Sequence, residues 1–133
     1  MSISIYYSAE RDYCLSEKEK EMVDEVINKY SINSNEEMDW KGEDFCIYEY
    51  ESLEFPTVFQ GATKIGYYED DYEREIEEVL RWCYCLTEIK RILKDANWTV
   101  SLDNEMIKYD EKIGFYLPGI PKLLHIELKP DLK

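Results

Sequence analysis

Carboxylates alternate with aromatic side chains between residues 36 and 54. These residue types and this spacing are suited to binding through ion pairs and aromatic contacts. This run holds eight acids and one cation, Lys41, so its formal charge is −7. Carboxylates steer and pair with Lys and Arg, and aromatic side chains supply buried contact area. The run therefore predicts a surface for a basic protein partner; alternatively, its aromatics face the core and its acids form a solvated face. The residues assigned to this surface are Glu36, Glu37, Asp39, Trp40, Glu43, Asp44, Tyr48, Glu49, Tyr50 and Glu51.

A second acidic run, residues 69–78, leads into a predicted helix and holds seven acids with Arg74. We add Glu69, Asp70 and Asp71 to the predicted partner surface. The alternative is structural, because acids are favoured in the first turn of a helix and Asp70 is four residues before Arg74, the spacing of a helical ion pair.

Catalytic candidates are few. His125 is the only histidine, and the nearest carboxylate, Glu127, lies two residues along the same predicted strand with no nucleophile beside it. The common catalytic and nucleotide-binding motifs are absent from the sequence. We therefore expect no catalytic residues and no cofactor, and favour a non-enzymatic protein. The alternative is a small enzyme or small-molecule-binding domain with a pocket near Gly61 and Tyr67, into which Lys64 or His125 would project.

The cysteines do not suggest a metal site. Cys14, Cys46, Cys83 and Cys85 include no CxxC pair, and the acidic runs lack the DxDxDG spacing of a calcium loop. Two residues apart on a helix, Cys83 and Cys85 lie on opposite sides and do not bridge. We expect four free thiols and no metal.

The 133-residue chain has 30 acidic and 16 basic residues, a net charge of −14. Direct binding to nucleic acid or to an anionic membrane is disfavoured, because Lys and Arg drive both associations. A nucleic-acid mimic, with carboxylates in place of phosphates, is a further alternative. The sequence begins without a basic and apolar leader and contains no apolar run of about 18 residues, so we expect a reduced, cytoplasmic protein. Nothing in the sequence indicates an oligomeric state.

The element that must organise these residues is a helix predicted over residues 70–95. Apolar side chains recur on it at intervals of three and four, in two adjacent rows. This register turns Leu80 and Cys83 toward a sheet and leaves Glu78 and Arg81 in water. The two rows are Ile76, Val79, Leu80, Cys83, Leu86, Lys90 and Leu93, and Trp82, Cys85, Ile89, Ile92 and Ala96.

Period-two patterns predict strands at 2–8, 43–50, 57–65 and 98–102, with the second and third paired as a hairpin. Ser16 and Glu19 have the spacing of a capping box and begin a helix that continues to about residue 30. The predicted fold is one α+β domain over residues 1–133. Two helices cover one face of an antiparallel sheet in the ferredoxin-like βαββαβ order, followed by a C-terminal extension. Residues 105–133 either add short edge strands or form a partly ordered tail.

Three segments carry a resemblance: GATK at 61–64, EEVLRWCYCLTEIKRIL at 77–93 and NWTVSLDN at 97–104. Together they resemble a recurrent pattern in small bacterial proteins of unknown activity, over residues 58–104. Size, acidity and α+β order also resemble the immunity proteins of bacterial polymorphic toxin systems. That resemblance implies a protein that binds and blocks a toxin domain, often a basic one, and it assigns no individual residue.

Overall fold

The fold is α+β, as predicted, with two helices and a four-stranded antiparallel sheet. The computed structural model describes residues 3–31, 42–66, 72–103 and 105–116. Its elements are β1 (Ile3–Glu10), α1 (Glu17–Tyr30), a single-turn 3-10 helix (Tyr50–Ser52), β2 (Thr57–Ile65), α2 (Tyr72–Ile92), β3 (Asn97–Leu102), β4 (Glu105–Met106), β5 (Lys108–Asp110) and β6 (Gly114–Tyr116).

Strand β1 lies inside the sheet, whose order is β2-β1-β3-β4. The sequence predicts Ile3, Ile5 and Tyr7 on the buried face; Ile5 and Tyr7 are buried, Ile3 is half-buried and Tyr6, on the opposite face, is 47% exposed. Successive strand residues point to opposite faces of a sheet. One face of the sheet therefore carries the core, and the other is open around Tyr6.

The ferredoxin-like order is not confirmed. β1 pairs antiparallel with both β2 and β3, and the segment predicted as a strand at 43–50 makes one isolated bridge, between Ile47 and Gly61. Asp44 accepts a hydrogen bond from the backbone N–H of Phe45 at 2.9 Å, a local bond that competes with regular strand pairing. The 3-10 helix at Tyr50–Ser52 then ends the extended path. The predicted hairpin is therefore reduced to a segment that lies along the outer edge of β2.

Helix α1 begins at the predicted capping box. The Ser16 hydroxyl accepts from the Glu19 N–H at 3.1 Å, and the Glu19 carboxylate accepts from the Ser16 N–H at 2.8 Å. The apolar stripe of this helix is narrow, since Val23 is fully buried and Met22 is 39% exposed. α1 therefore packs through one side, and that side contacts α2.

Helix α2 is central to the core, because it contacts α1, β2 and β6. Both predicted rows are buried except for Lys90 and Ile92, which are half-buried. Two apolar rows require one covered side, toward the sheet, but α2 also packs against α1 and β6. The buried residues are Ile76, Val79, Leu80, Trp82, Cys83, Cys85, Leu86, Ile89, Leu93 and Ala96.

The expectation that Glu78 and Arg81 face water is wrong. Glu78 is 1% exposed, and its Oε1 accepts a hydrogen bond from the Gly66 N–H at 2.8 Å. Arg81 is half-buried and donates to the backbone carbonyls of Tyr30 and Ser31, at 2.8 and 3.2 Å. Glu78 and Arg81 each form hydrogen bonds with backbone groups from another part of the chain. These bonds satisfy the two charged groups where other elements cover this side of α2.

The short β5–β6 hairpin closes the far side of α2 through Thr87. The Thr87 hydroxyl donates to the Cys83 carbonyl at 2.7 Å and accepts from the Phe115 N–H at 2.9 Å. Gly114 has φ +91°, and a Cβ there would lie 2.4 Å from Thr87 Oγ1. Positive φ and close approach together require glycine at this position.

Beyond β6, residues 117–133 lie outside the described residues, and so do His125 and the predicted C-terminal strand or tail. Short strands do form at 105–106, 108–110 and 114–116. No helix within the described ranges has the length and apolar character needed to cross a membrane.

The four cysteines are free, two exposed (Cys14 and Cys46) and two buried (Cys83 and Cys85). Burial raises the pKa of Cys83 to about 12 and also raises that of Cys85, and a thiol reacts through its thiolate. At neutral pH we expect Cys14 and Cys46 to react quickly with a thiol reagent in the native protein, and all four thiols to react after unfolding without reductant. Recovery of two thiols from the unfolded protein would reveal a disulfide.

Candidate functional site

The structure covers about half of the residues assigned to the partner surface. Glu43, Asp44, Tyr48, Glu49, Tyr50 and Glu51 are described. The remaining members lie outside the described residues, as do Tyr67 and His125 of the alternative pocket. Those members are Glu36, Glu37, Asp39, Trp40, Glu69, Asp70 and Asp71.

The segment 43–54 is fixed to the sheet by its backbone and by one aromatic ring. Glu43 N–H donates to the Lys64 carbonyl at 2.9 Å, and Tyr48 N–H donates to the Gln60 carbonyl at 2.8 Å. Phe45 is buried and stacks on Tyr7, with ring centroids 4.7 Å apart. Of the aromatics in the segment, Phe45 therefore belongs to the core, as the structural alternative required.

The carboxylates of the segment divide into two groups. Glu43 accepts from the Lys64 N–H at 3.0 Å, and Asp44 accepts from the Ser31 hydroxyl at 2.7 Å, so both help to hold the segment. Glu43 is exposed all the same, as are Glu49, Glu51 and Glu54. The last three take no part in these two bonds, so a partner can reach them without breaking either bond.

Two exposed aromatic side chains lie close together here, one within the segment and one on β1. Tyr48 is 45% exposed and Tyr6, from β1, is 47% exposed; both line one shallow depression on the open sheet face. Sequence reasoning found Tyr48 and missed Tyr6, although the alternation of β1 placed Tyr6 opposite the buried Ile5 and Tyr7. Phe55, directly after the segment, is 67% exposed and was also missed.

The depression on the open sheet face surrounds Gly61, where the alternative pocket was expected. Its volume is about 120 Å³, well below the ~300 Å³ at which small-molecule sites begin. A Cβ on Gly61 would lie 2.4 Å from the Cys46 carbonyl oxygen and 2.6 Å from the Tyr7 ring. The glycine is thus explained by the close approach of the 43–48 segment to β2.

A larger cavity, of about 260 Å³, lies between the start of α1, the 3-10 helix and the start of β2. Its walls are mainly apolar, and a few polar groups converge on it. No feature of the sequence pointed to this cavity, because its walls come from residues far apart in the chain. The apolar walls are Leu15, Leu53, Phe55 and Val58, and the polar lining residues are Cys14, Lys20, Tyr50, Glu51 and Thr57.

Tyr50 lines this cavity, and its hydroxyl oxygen is buried from water. Among the described residues, that hydroxyl has no hydrogen-bond partner. Burial raises the pKa of Tyr50 to about 12, and the charge of Asp24 adds to the effect. The group therefore stays protonated at neutral pH. Lys20 lies over the Tyr50 ring, with Nζ 5.1 Å from the centroid and 3.5 Å from Glu17 Oε2.

Arg11 braces the loop that forms one wall of the cavity. This buried side chain donates to the backbone carbonyls of Tyr13 and Cys14 at 2.9 and 3.0 Å. It also pairs with Glu19 at 2.6 Å and with Asp95 at 3.2 Å. Through Arg11, the loop between β1 and α1 is therefore tied to Glu19 in α1 and to Asp95, which follows α2.

Across the described ranges, no group of three or more histidine, cysteine or acidic side chains is placed to hold a metal ion. Comparison with protein-family models, with curated proteins and with solved structures finds no match to this chain. Function is therefore inferred from the residues themselves.

Proposed function

We propose that this protein is a non-enzymatic, acidic protein-binding module that binds a basic partner, as an immunity protein binds and blocks a toxin domain. The observation that carries the proposal is a group of exposed carboxylates and exposed aromatic rings that lie within the segment 43–54 and directly after it. Glu49, Glu51 and Glu54 are exposed beside Tyr48 and Phe55.

Fixation of the segment favours binding. Its backbone bonds to Lys64 and Gln60 and its buried Phe45 ring hold residues 43–48 before any partner arrives. A surface that is ordered in advance loses less conformational entropy on association. The net charge of −14 adds long-range attraction for a basic partner, which raises the association rate most at low ionic strength.

The test is made with the partner retained from native lysate at low salt and identified by mass spectrometry. We expect the association rate to fall as salt is added, because the screening length shortens from about 30 Å at 0.01 M to about 8 Å at 0.15 M. Replacing Glu49→Lys together with Glu51→Lys should lower the association rate severalfold or more, because attraction becomes repulsion where the partner docks.

The matched control carries the same change in charge at a remote place. Glu105→Lys with Glu111→Lys alters two exposed acids, one on β4 and one in the β5–β6 turn; in the sheet, β4 is at the opposite edge from β2. The control should change the rate much less than the double reversal at 49 and 51. Equal effects of the two variants, a rate indifferent to salt, or retention of no partner at low salt would contradict the proposal.

A further inference from the structure

We infer that the depression on the open sheet face receives the guanidinium group of an arginine presented by the basic partner. This inference rests on the proposed function and names one side chain of its partner. The depression adjoins the segment 43–54, because Tyr48 of that segment lines it together with Tyr6 of β1.

Two tyrosine rings border the depression from opposite sides of β2. Tyr48 lies on one side, where its N–H donates to the Gln60 carbonyl at 2.8 Å. Tyr6 lies on the other side, in β1, and pairs with Ala62. Adjacent strands are about 4.8 Å apart, so the two backbones are about 10 Å apart. A group in the depression therefore lies between two exposed rings, and a guanidinium both stacks on aromatic faces and is attracted to them by its charge.

The other side chains of the lining supply hydrogen-bond acceptors without charge. A guanidinium has five N–H donors and no acceptor, so hydroxyl and amide oxygens complement it. An apolar side chain would instead cover these polar groups without replacing their hydrogen bonds to water. Among the described residues that line the depression, none is charged, so no lysine or arginine opposes an incoming cation. The acceptor side chains, all exposed or half-buried, are Ser8, Gln60, Thr99 and Ser101.

The charges around the depression favour a cation over an anion. Glu49 is exposed directly after Tyr48, and Glu10 is exposed on the same face of β1. Lys64 is exposed on this face of β2, beyond the residues that line the depression. With a net charge of −14, the chain as a whole attracts cations. Lysine is the poorer cation here, because its ammonium is compact, strongly hydrated and unable to stack.

The size of the depression suits the end of one side chain. Its volume of about 120 Å³ is the share of about four water molecules in the liquid. Arginine is also one of the three residue types, with tryptophan and tyrosine, in which interfaces concentrate their binding energy.

The test uses the intact protein and three probes: arginine, lysine and citrulline, each N-acetylated and C-amidated. Citrulline keeps the planar end of arginine and lacks its charge. In a titration followed by two-dimensional amide NMR at about 0.15 M salt, which screens remote carboxylates, we expect the arginine probe to shift the resonances of Tyr6, Gln60 and Ser101. The citrulline and lysine probes should bind severalfold more weakly, because the first has no charge and the second does not stack.

Removing either ring should weaken binding of the arginine probe. Tyr6→Leu and Tyr48→Leu should each lower its affinity about two- to fivefold, the contribution of one exposed cation–π contact. Tyr6→Phe keeps the ring and should lower the affinity less. The matched control is Phe55→Leu, because Phe55 is 67% exposed and does not line the depression; the affinity should stay unchanged.

Equal binding of the arginine and citrulline probes, equal effects of Tyr6→Leu and Phe55→Leu, or no shift at the depression with any probe would overturn the inference. Its failure is distinguishable from failure of the proposed function. Salt-dependent partner binding that is sensitive to Glu49 and Glu51, without selective arginine binding, removes only the inference. Selective arginine binding without a retained partner removes only the proposed function.

Discussion

Replacing Arg11 by alanine is expected to lower the free energy of unfolding by about 1.5–3 kcal/mol, the usual contribution of hydrogen bonds made by a charged group. Arg11 is 6% exposed. Its loss leaves the Glu19 carboxylate without its 2.6 Å partner and leaves the Tyr13 and Cys14 carbonyls without their donor. Urea denaturation followed by circular dichroism measures the change.

The control for Arg11 is Lys18→Ala, a cation exposed in the first turn of α1, which should cost no more than about 0.5 kcal/mol. A loss below about 1 kcal/mol for Arg11→Ala would show that the network adds little to stability. Such a result would also mean that the cavity wall at Cys14 is held by contacts other than those of Arg11.

The same network predicts a dependence on pH. The hydrogen bond from Arg11, with a further one from the Ser16 N–H, lowers the pKa of Glu19 in the folded protein. A group whose pKa is lower in the folded state stabilises the fold above its unfolded pKa of about 4.3, and this contribution is lost as the pH falls through the folded pKa. The stability difference between wild type and Arg11→Ala should therefore narrow below about pH 4.

Replacing Glu78 by alanine should cost about 2–4 kcal/mol, from an unpaired buried donor and lost packing. Its carboxylate accepts from the Gly66 N–H at 2.8 Å, and a Cβ on Gly42 would lie 2.3 Å from the same oxygen. Glu78 therefore joins α2 to the residue that follows β2, and its oxygen also lies close to Gly42. Chemical denaturation of the variant measures the loss.

Glu77→Ala is the matched control, because Glu77 is the preceding residue of the same helix and is exposed; about 0.5 kcal/mol or less is expected. Equal losses in the two variants would mean that the carboxylate of Glu78 has no special role. Glu78→Gln keeps an acceptor for the Gly66 N–H and should lose less than Glu78→Ala.

For the candidate site, local patterns singled out the acidic residues but did not predict which of them accept hydrogen bonds within the protein. Glu43, Glu49 and Glu51 look alike in the sequence and are all exposed, yet Glu43 accepts a hydrogen bond from the Lys64 N–H, as the half-buried Asp44 does from the Ser31 hydroxyl. The difference depends on which hydrogen-bond donor lies beside each carboxylate. That donor is set by contacts across the fold, which the spacing of acids along the chain does not encode.

The sequence by itself determined the α+β class, the two helices, the capping box at Ser16 and the alternation of β1, because each depends on residues at most a few positions apart. Only the tertiary structure decided the sheet order, the burial of Glu78 and the cavity beside Tyr50. The physical reason is that burial depends on which elements pack against a surface. The apolar rows of α2 show that one side of the helix is buried, but α1 and β6 also pack against other sides of it. The cavity likewise exists where Leu15, Tyr50 and Val58 meet, and such meetings depend on how the elements pack together.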